Sequence, residues 1–175
     1  MDRALVIFES MFGNTRMIAE AVAEGLASRF VTDLTEVSLA PTRIPDDVSL
    51  VVAGGPTHAF GLTRPRTRAD AATQADEPLV SPAGGVRDWL EAAERPRSGV
   101  RAAAFDTRID KPRVPGSAAR GAEKRLRRLG FRVVAAAESF YVTGTKGPLV
   151  PGEVERARRW AEQVAERSAP VVTTG

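Results

Sequence analysis

The chain contains no cysteine, so no disulfide framework, thiolate metal site or cysteine nucleophile is available to it. It contains one histidine, His58, which argues against a transition-metal centre and against any multi-histidine site. Lysine is almost absent. Of the 25 basic residues only Lys111, Lys124 and Lys146 are lysine, an arginine bias that, with abundant alanine, is what GC-rich coding produces. Aromatic residues are scarce, and none is interleaved with the basic runs, so a nucleic-acid surface lacks its stacking partners. Long hydrophobic runs are missing too: Ala4–Phe8 is five residues long and stops at Glu9. That is too short for a signal-peptide core or a membrane span, so a cytoplasmic protein without membrane or nucleic-acid partners is expected.

What is present suits one soluble domain. At 175 residues, 43% hydrophobic and 27% charged, the chain can build a single core, expected over residues 1–168 with a frayed tail at 169–175. The densest basic clusters, Arg64-Pro65-Arg66-Thr67-Arg68 and Lys124-Arg125-Leu126-Arg127-Arg128, read as solvated surface in a chain of net charge +3.

Strand and helix patterns alternate along the sequence. Residues 3–9 read as a buried strand, and Ile18, Val22 and Leu26, with Ala19 and Ala21, line one face of a helix from Thr15 to Arg29. Weak alternation marks a second strand at Thr32–Ser38, and the continuous apolar run Val48–Ala53 marks a third, covered on both faces. Helical spacing returns at Gly85–Glu94 through Val86, Trp89, Leu90 and Ala93. A fourth strand is read at Val100–Phe105, a helix at 117–129 ended by Gly130, a fifth strand at Phe131–Ala137, and a last helix at Glu153–Arg167 with Val154, Ala157, Ala161 and Val164 inward. Five strands alternating with helices imply a parallel sheet with right-handed crossovers, hence a three-layer doubly wound α/β domain. Residues 61–82 escape the pattern. They exceed the usual connection of roughly 4–6 residues, and only Ala69–Ala75 suggests a short helix.

In such a sheet ligands bind beyond the carboxyl ends of the strands, near the point where strand order reverses. Three loops lie there: Ser10-Met11-Phe12-Gly13-Asn14-Thr15, then Gly54-Gly55-Pro56-Thr57-His58-Ala59-Phe60-Gly61, then Asp106-Thr107-Arg108-Ile109-Asp110. The first runs straight into a helix N-terminus, whose unpaired amides and dipole attract an anion. Gly13 admits close backbone approach, while Ser10, Asn14 and Thr15 add side-chain donors, so a phosphate can be held without lysine. Spacing alone equally allows Asn14 or Thr15 merely to cap the helix.

Absent motifs remove the alternatives on related folds. Gly13 is followed by Asn14 and not by Lys-Ser/Thr, which excludes a P-loop. The turn lacks G-x-G-x-x-G, the third strand ends in Gly54-Gly55-Pro56 and not in a phosphoacceptor carboxylate, and no G-x-S-x-G elbow occurs.

The stretch ALVIFESMFGNTRMIAEAV resembles the phosphate-binding signature of the flavodoxin family, a Ser/Thr-x-Thr-Gly-x-Thr turn between the first strand and first helix. Ser10, Gly13 and Thr15 match and Asn14 is a common choice. Phe12 departs where a hydroxyl is usual. With the Gly-Gly-Pro-Thr-His loop, the resemblance covers nearly the whole chain and implies strand order 2-1-3-4-5. It also implies FMN held without a covalent bond, its phosphate within Ser10, Met11, Phe12, Gly13, Asn14 and Thr15. Carried over, Pro56, Thr57, His58, Ala59 and Phe60 would flank one side of the flavin ring, and Asp106, Thr107 and Arg108 its pyrimidine end. Phe60 and His58 stand where family members often place Trp and Tyr.

Several readings stay open. His58 either contacts the flavin or only bonds its own loop. Arg108 either offsets charge on reduced flavin or lies on the surface. Trp89 and Trp160 read as core, and Tyr141 as core or rim. Three functions fit: an FMN electron carrier with a redox partner protein, an FMN oxidoreductase passing electrons from NAD(P)H to a small acceptor such as a quinone, and a flavin-free interaction module. The family's well-known members are strongly acidic; this chain is mildly basic, which draws weight away from a pure carrier. Residues 61–82 are the candidate lid or partner surface.

Overall fold

A computed structural model describes residues 2–58, 61–111 and 115–169. The chain runs β1 (Arg3–Phe8), α1 (Asn14–Leu26), β2 (Val31–Glu36), β3 (Val48–Pro56), α2 (Pro65–Gln74), α3 (Val86–Ala92), β4 (Arg101–Ile109), α4 (Ala118–Leu129), β5 (Arg132–Val133), β6 (Glu138–Val142) and α5 (Glu153–Ser168). All strand pairs are parallel, in the order β2-β1-β3-β4-β5, with β6 also on β4. This is the doubly wound five-position sheet that the alternating pattern requires.

Side-chain alternation along each strand divides the core in two. Val6, Phe8, Val52, Phe105 and Phe140 face α1 and α5, whereas Leu5, Ile7, Val51, Ala102 and Ala104 face α3 and α4. Phe105, Phe140 and Trp160 form an edge-on aromatic trio with centroids 5.9–6.2 Å apart. Trp89 is core as expected, its Nε1 donating to the Pro41 carbonyl at 2.9 Å. Gly130 ends α4 with φ 104°, the left-handed cap read from the sequence.

Several boundaries differ from the sequence reading, each for a local reason. Strands β3 and β4 extend to Pro56 and Ile109, because Gly55↔Asp106 and Pro56↔Thr107 remain in register; Asp106, Thr107 and Arg108 are strand residues, not loop. The fifth strand at 131–137 is interrupted. Ala137 turns its amide to Glu123 Oε1, 3.2 Å away, and pairing with β4 resumes at Glu138. Strand β2 stops at Glu36, and Val37 is buried within a 3-10 turn. Helix α2 begins at Pro65, four residues before the expected start, with proline in the first turn where its missing N–H costs nothing. Val154 is exposed, since α5 turns Glu153, Ala157, Trp160, Ala161 and Val164 inward. Arg68 is buried and ion-paired, not solvated. The tail beyond Ala169, like Ala59 and Phe60, lies outside the described residues.

Candidate functional site

The carboxyl ends of β1, β3 and β4 open into a cleft of about 330 Å³. Nine of the expected site residues line it: Met11, Phe12, Asn14, Thr15, Pro56, Thr57, His58, Thr107 and Arg108. The sequence reading offered segment 61–82 as a candidate lid or partner surface without naming residues; α2 lines the cleft through Thr67, Asp70, Ala71 and Gln74. Ile109, Val142 and Thr145 complete the rim. The unusual length of segment 61–82 was the one signal that pointed there.

Three expected contact residues, Ser10, Gly13 and Asp106, are not among those lining the cleft. Ser10 is fully buried, and its Oγ accepts from the amides of Gly13 at 3.2 Å and Arg16 at 3.3 Å, capping the entry to α1. Gly13 holds φ 97°, a left-handed turn that glycine reaches without strain. Asp106 is fully buried; its Oδ2 accepts from Thr57 Oγ1 at 3.1 Å, from the Ala119 amide at 3.0 Å and from the Ser117 hydroxyl, anchoring the start of α4. Its other oxygen, Oδ1, has no hydrogen-bond partner among the described residues.

Side chains read as anion donors are also committed to protein partners. Asn14 Nδ2 donates to the Lys146 carbonyl at 3.1 Å, holding the 144–148 loop against the cleft. The Thr15 and Thr107 hydroxyls bond each other at 2.7 Å. Main-chain amides remain. Among the described residues no acceptor meets the N–H groups of Phe12, Asn14 and Thr15, at the positive end of a 13-residue helix.

Segment 61–82 is tied down from below. Glu9, fully buried at the end of β1, accepts from the Val86 amide at 2.9 Å and from the Thr63 hydroxyl. Arg68 donates to Thr63 Oγ1 at 2.9 Å and pairs with Asp88 at 3.0 Å. Burial pushes the Glu9 carboxyl above its ordinary range, against the opposing pull of Thr63, Val86 and Arg68. Ser81 completes the clamp: its amide donates to the Ser10 carbonyl at 2.8 Å, and its Oγ accepts from the Ser10 amide at 3.0 Å.

His58 sits at the cleft on a fixed backbone. Its N–H and C=O exchange hydrogen bonds with Gly61 at 2.8 and 2.9 Å, and the Thr57 amide donates to the Thr107 carbonyl at 2.9 Å. Its Nδ1 is buried and meets no hydrogen-bond partner among the described residues. Burial, then the nearby Arg68 charge, lowers the imidazole below its ordinary value. Among the described residues no group of three or more His, Cys, Asp or Glu is placed to hold a metal, and no helix is long and apolar enough to cross a membrane.

The arrangement offers an apolar slot with an anion-seeking floor. Comparison with known proteins points the same way. The family model for flavodoxin matches residues 6–169. No curated protein matches. Among solved structures, flavodoxin 2 from Bacillus cereus superposes with a TM-score of 0.65 at 21% identity, covering 94% of this chain and 99% of that one. A flavodoxin from the domain Archaea gives 0.64 at 17% identity, covering 95% and 98%. A WrbA-like protein from Agrobacterium tumefaciens gives 0.57 at 17% identity, covering 96% and 98%. At these identities the structural likeness establishes the fold.

Proposed function

This chain belongs to the flavodoxin family, and from that premise we propose that it binds FMN in the cleft at the ends of β1, β3 and β4 and serves in electron transfer. The observation that carries the proposal is that Phe12, Asn14 and Thr15, three residues lining that cleft, have amides that meet no acceptor among the described residues. The residues present fit the group. The amides and the α1 dipole suit a phosphate, although Phe12 replaces a hydroxyl. The cavity falls within the usual range for small-ligand sites, and Met11, Phe12, Ile109 and Val142 supply apolar wall.

Bound FMN would supply one- or two-electron chemistry. The protein's own part is to hold and shield. The amides at the start of α1 would hold the phosphate end, the Thr15–Thr107 hydrogen bond ties the first turn of α1 to the end of β4, and α2 would keep water from one side of the bound group. A lid role for segment 61–82 belongs to the same proposal.

Titration of the apoprotein with FMN, followed by fluorescence quenching, tests this reading. Tight binding of FMN and weaker binding of riboflavin, which lacks the phosphate, are expected. A protein that quenches neither is an interaction module. With FMN bound, NADPH oxidation by the protein alone in the presence of a quinone identifies an oxidoreductase; inertness without a separate reductase identifies a carrier.

A further inference from the structure

The two densest basic clusters of the sequence are far apart along the chain, yet the fold brings them together. Leu62, buried at the entry to α2, packs on α4: a Cβ placed on Gly121 would lie 3.7 Å from Leu62 Cδ1 and 3.8 Å from Arg125 Nη1. Arg87, from α3, stands between the clusters. Its Nε donates to the Thr63 carbonyl at 3.3 Å and its Nη2 to the Leu62 carbonyl at 3.1 Å, which fixes its guanidinium beside the chain that leads into Arg64. Gly121, Lys124, Arg125 and Arg128 recur at i, i+3, i+4 and i+7 on one flank of α4, and the approach of Gly121 to Leu62 turns that flank towards α2. Two other members of the clusters are neutralised within the protein, Arg68 by Asp88 and Arg127 by Glu123. Arg64, Arg87, Lys124, Arg125 and Arg128 form no ion pair among the described residues.

Gathering like charges without counter-ions is unfavourable, and Arg87 registers it. Burial, then the Arg125 and Arg64 charges, lower its guanidinium below its ordinary value, against the pull of Glu91 and Asp88. Asp88 is already engaged by Arg68 and by the Gly85 amide, and Glu91 alone does not balance the set. We propose that the face made by Arg64, Arg87, Lys124, Arg125 and Arg128 docks an acidic surface of a partner protein. Such a partner supplies the counter-ions that the chain itself withholds, and it meets an Arg87 already oriented by two carbonyl bonds. The cations run from Lys124 to Arg128, about 6 Å of helix, and across to the entry of α2. That spread suits an extended acidic face better than a single phosphate. The face also flanks the cleft: Arg64 immediately precedes α2, whose Thr67 lines the cleft, and the Ala118 amide at the start of α4 donates to Thr57 Oγ1 at 3.0 Å. This inference goes beyond the FMN reading and does not rest on it; with FMN bound, a partner docked here lies beside the cleft that holds it.

A fluorescein-labelled, glutamate-rich peptide is the probe, read by anisotropy at about 20 mM and about 200 mM salt with no flavin added. Wild type should bind it at the lower salt and release it at the higher. The triple variant Arg64→Gln/Arg125→Gln/Arg128→Gln should bind about tenfold more weakly at low salt. A control, Arg29→Gln/Arg43→Gln/Arg132→Gln, removes the same charge from exposed residues elsewhere and should lose less than about threefold. Arg87 is left in place because its carbonyl bonds hold the loop, and circular dichroism confirms the fold of both variants. In amide NMR spectra of isotope-labelled wild type, shifts on peptide addition should gather at residues 62–67, 87–91 and 121–128. Equal losses by the two variants, shifts scattered over every basic surface, or no binding by wild type overturns the proposal. So does a DNA duplex that stays bound at the higher salt after the peptide has dissociated, which would assign the face to nucleic acid. FMN titration keeps the two readings apart. The triple variant should bind FMN as wild type does, and a wild type that binds the peptide but not FMN leaves this proposal standing and overturns the other.

Discussion

The hydroxyls of Thr15 and Thr107 lie 2.7 Å apart, one at the first turn of α1 and the other near the end of β4. Both residues are buried, and either oxygen can donate. This bond joins the two sides of the cleft floor across β1 and β3, so the site depends on two segments separated by more than half the chain.

Removing one partner should therefore cost more than removing both in proportion. Thr15→Val keeps the shape but leaves the Thr107 hydroxyl buried and unpaired, a loss of about 1–3 kcal/mol of stability. Thr107→Val should cost a similar amount, and the double variant less than the two costs added together. Urea unfolding of the four proteins measures the coupling; costs that simply add to within about 0.5 kcal/mol would show that the pair is not a unit.

Gly54 has a packing reason to be glycine. A Cβ there would lie 2.2 Å from Phe105 Cζ, and the ring belongs to the aromatic trio under α5. Gly54→Ala should destabilise the protein by about 1–3 kcal/mol through overpacking. Adding Phe105→Leu should restore part of that loss, which thermal melts of the single and double variants can compare.

How much of this was legible in the sequence depended on whether one residue's neighbours were its own chain neighbours. The apolar runs of β1 and β3 and the helical stripe of α1 announced themselves by periodicity, and so fold class and cleft position followed. Gly54-Gly55-Pro56 and Asp106-Thr107-Arg108 have the composition of turns, yet the ladder between β3 and β4 holds them extended. Helix α2 buries only Arg68 and Ala71, too little for a stripe, so its start was misplaced and its lining residues were not named, although segment 61–82 as a whole was read as a candidate lid or partner surface. Nine of the residues read from the sequence line the cleft, but the direction of their side chains was not legible. Whether Asn14 faces an anion or the Lys146 carbonyl is decided by a loop 132 residues away.

Glu9 should leave a signature in the pH dependence of stability. Its folded-state pKa is raised by burial, so the native state binds its proton more tightly than the unfolded chain does. The stability from this difference is fully present below the unfolded value and is lost as pH rises through the folded value. Glu9→Gln cannot titrate. Its stability relative to wild type should thus increase as pH is raised from below the ordinary glutamate range towards neutrality, as denaturant unfolding at several pH values would register. A difference that is flat with pH would mean that Thr63, Val86 and Arg68 together cancel the effect of burial.

Ser10 separates the two possible uses of the first loop. Its oxygen caps α1 through the Gly13 and Arg16 amides and lies beneath the cleft surface. If main-chain amides alone hold the phosphate, Ser10→Ala should lower stability by about 0.5–2 kcal/mol, the usual cost of a lost N-cap, and leave the preference for FMN over riboflavin in place. Gly13→Ala acts differently. It forces a side chain into a left-handed backbone conformation with open space around it, so the turn shifts and the amides lose their convergence. That variant should reduce the FMN preference while riboflavin binding changes little. Paired fluorescence titrations on both variants decide the matter: a collapse of the preference in Ser10→Ala, with Gly13→Ala unaffected, would move the phosphate contact from the main chain to the serine hydroxyl.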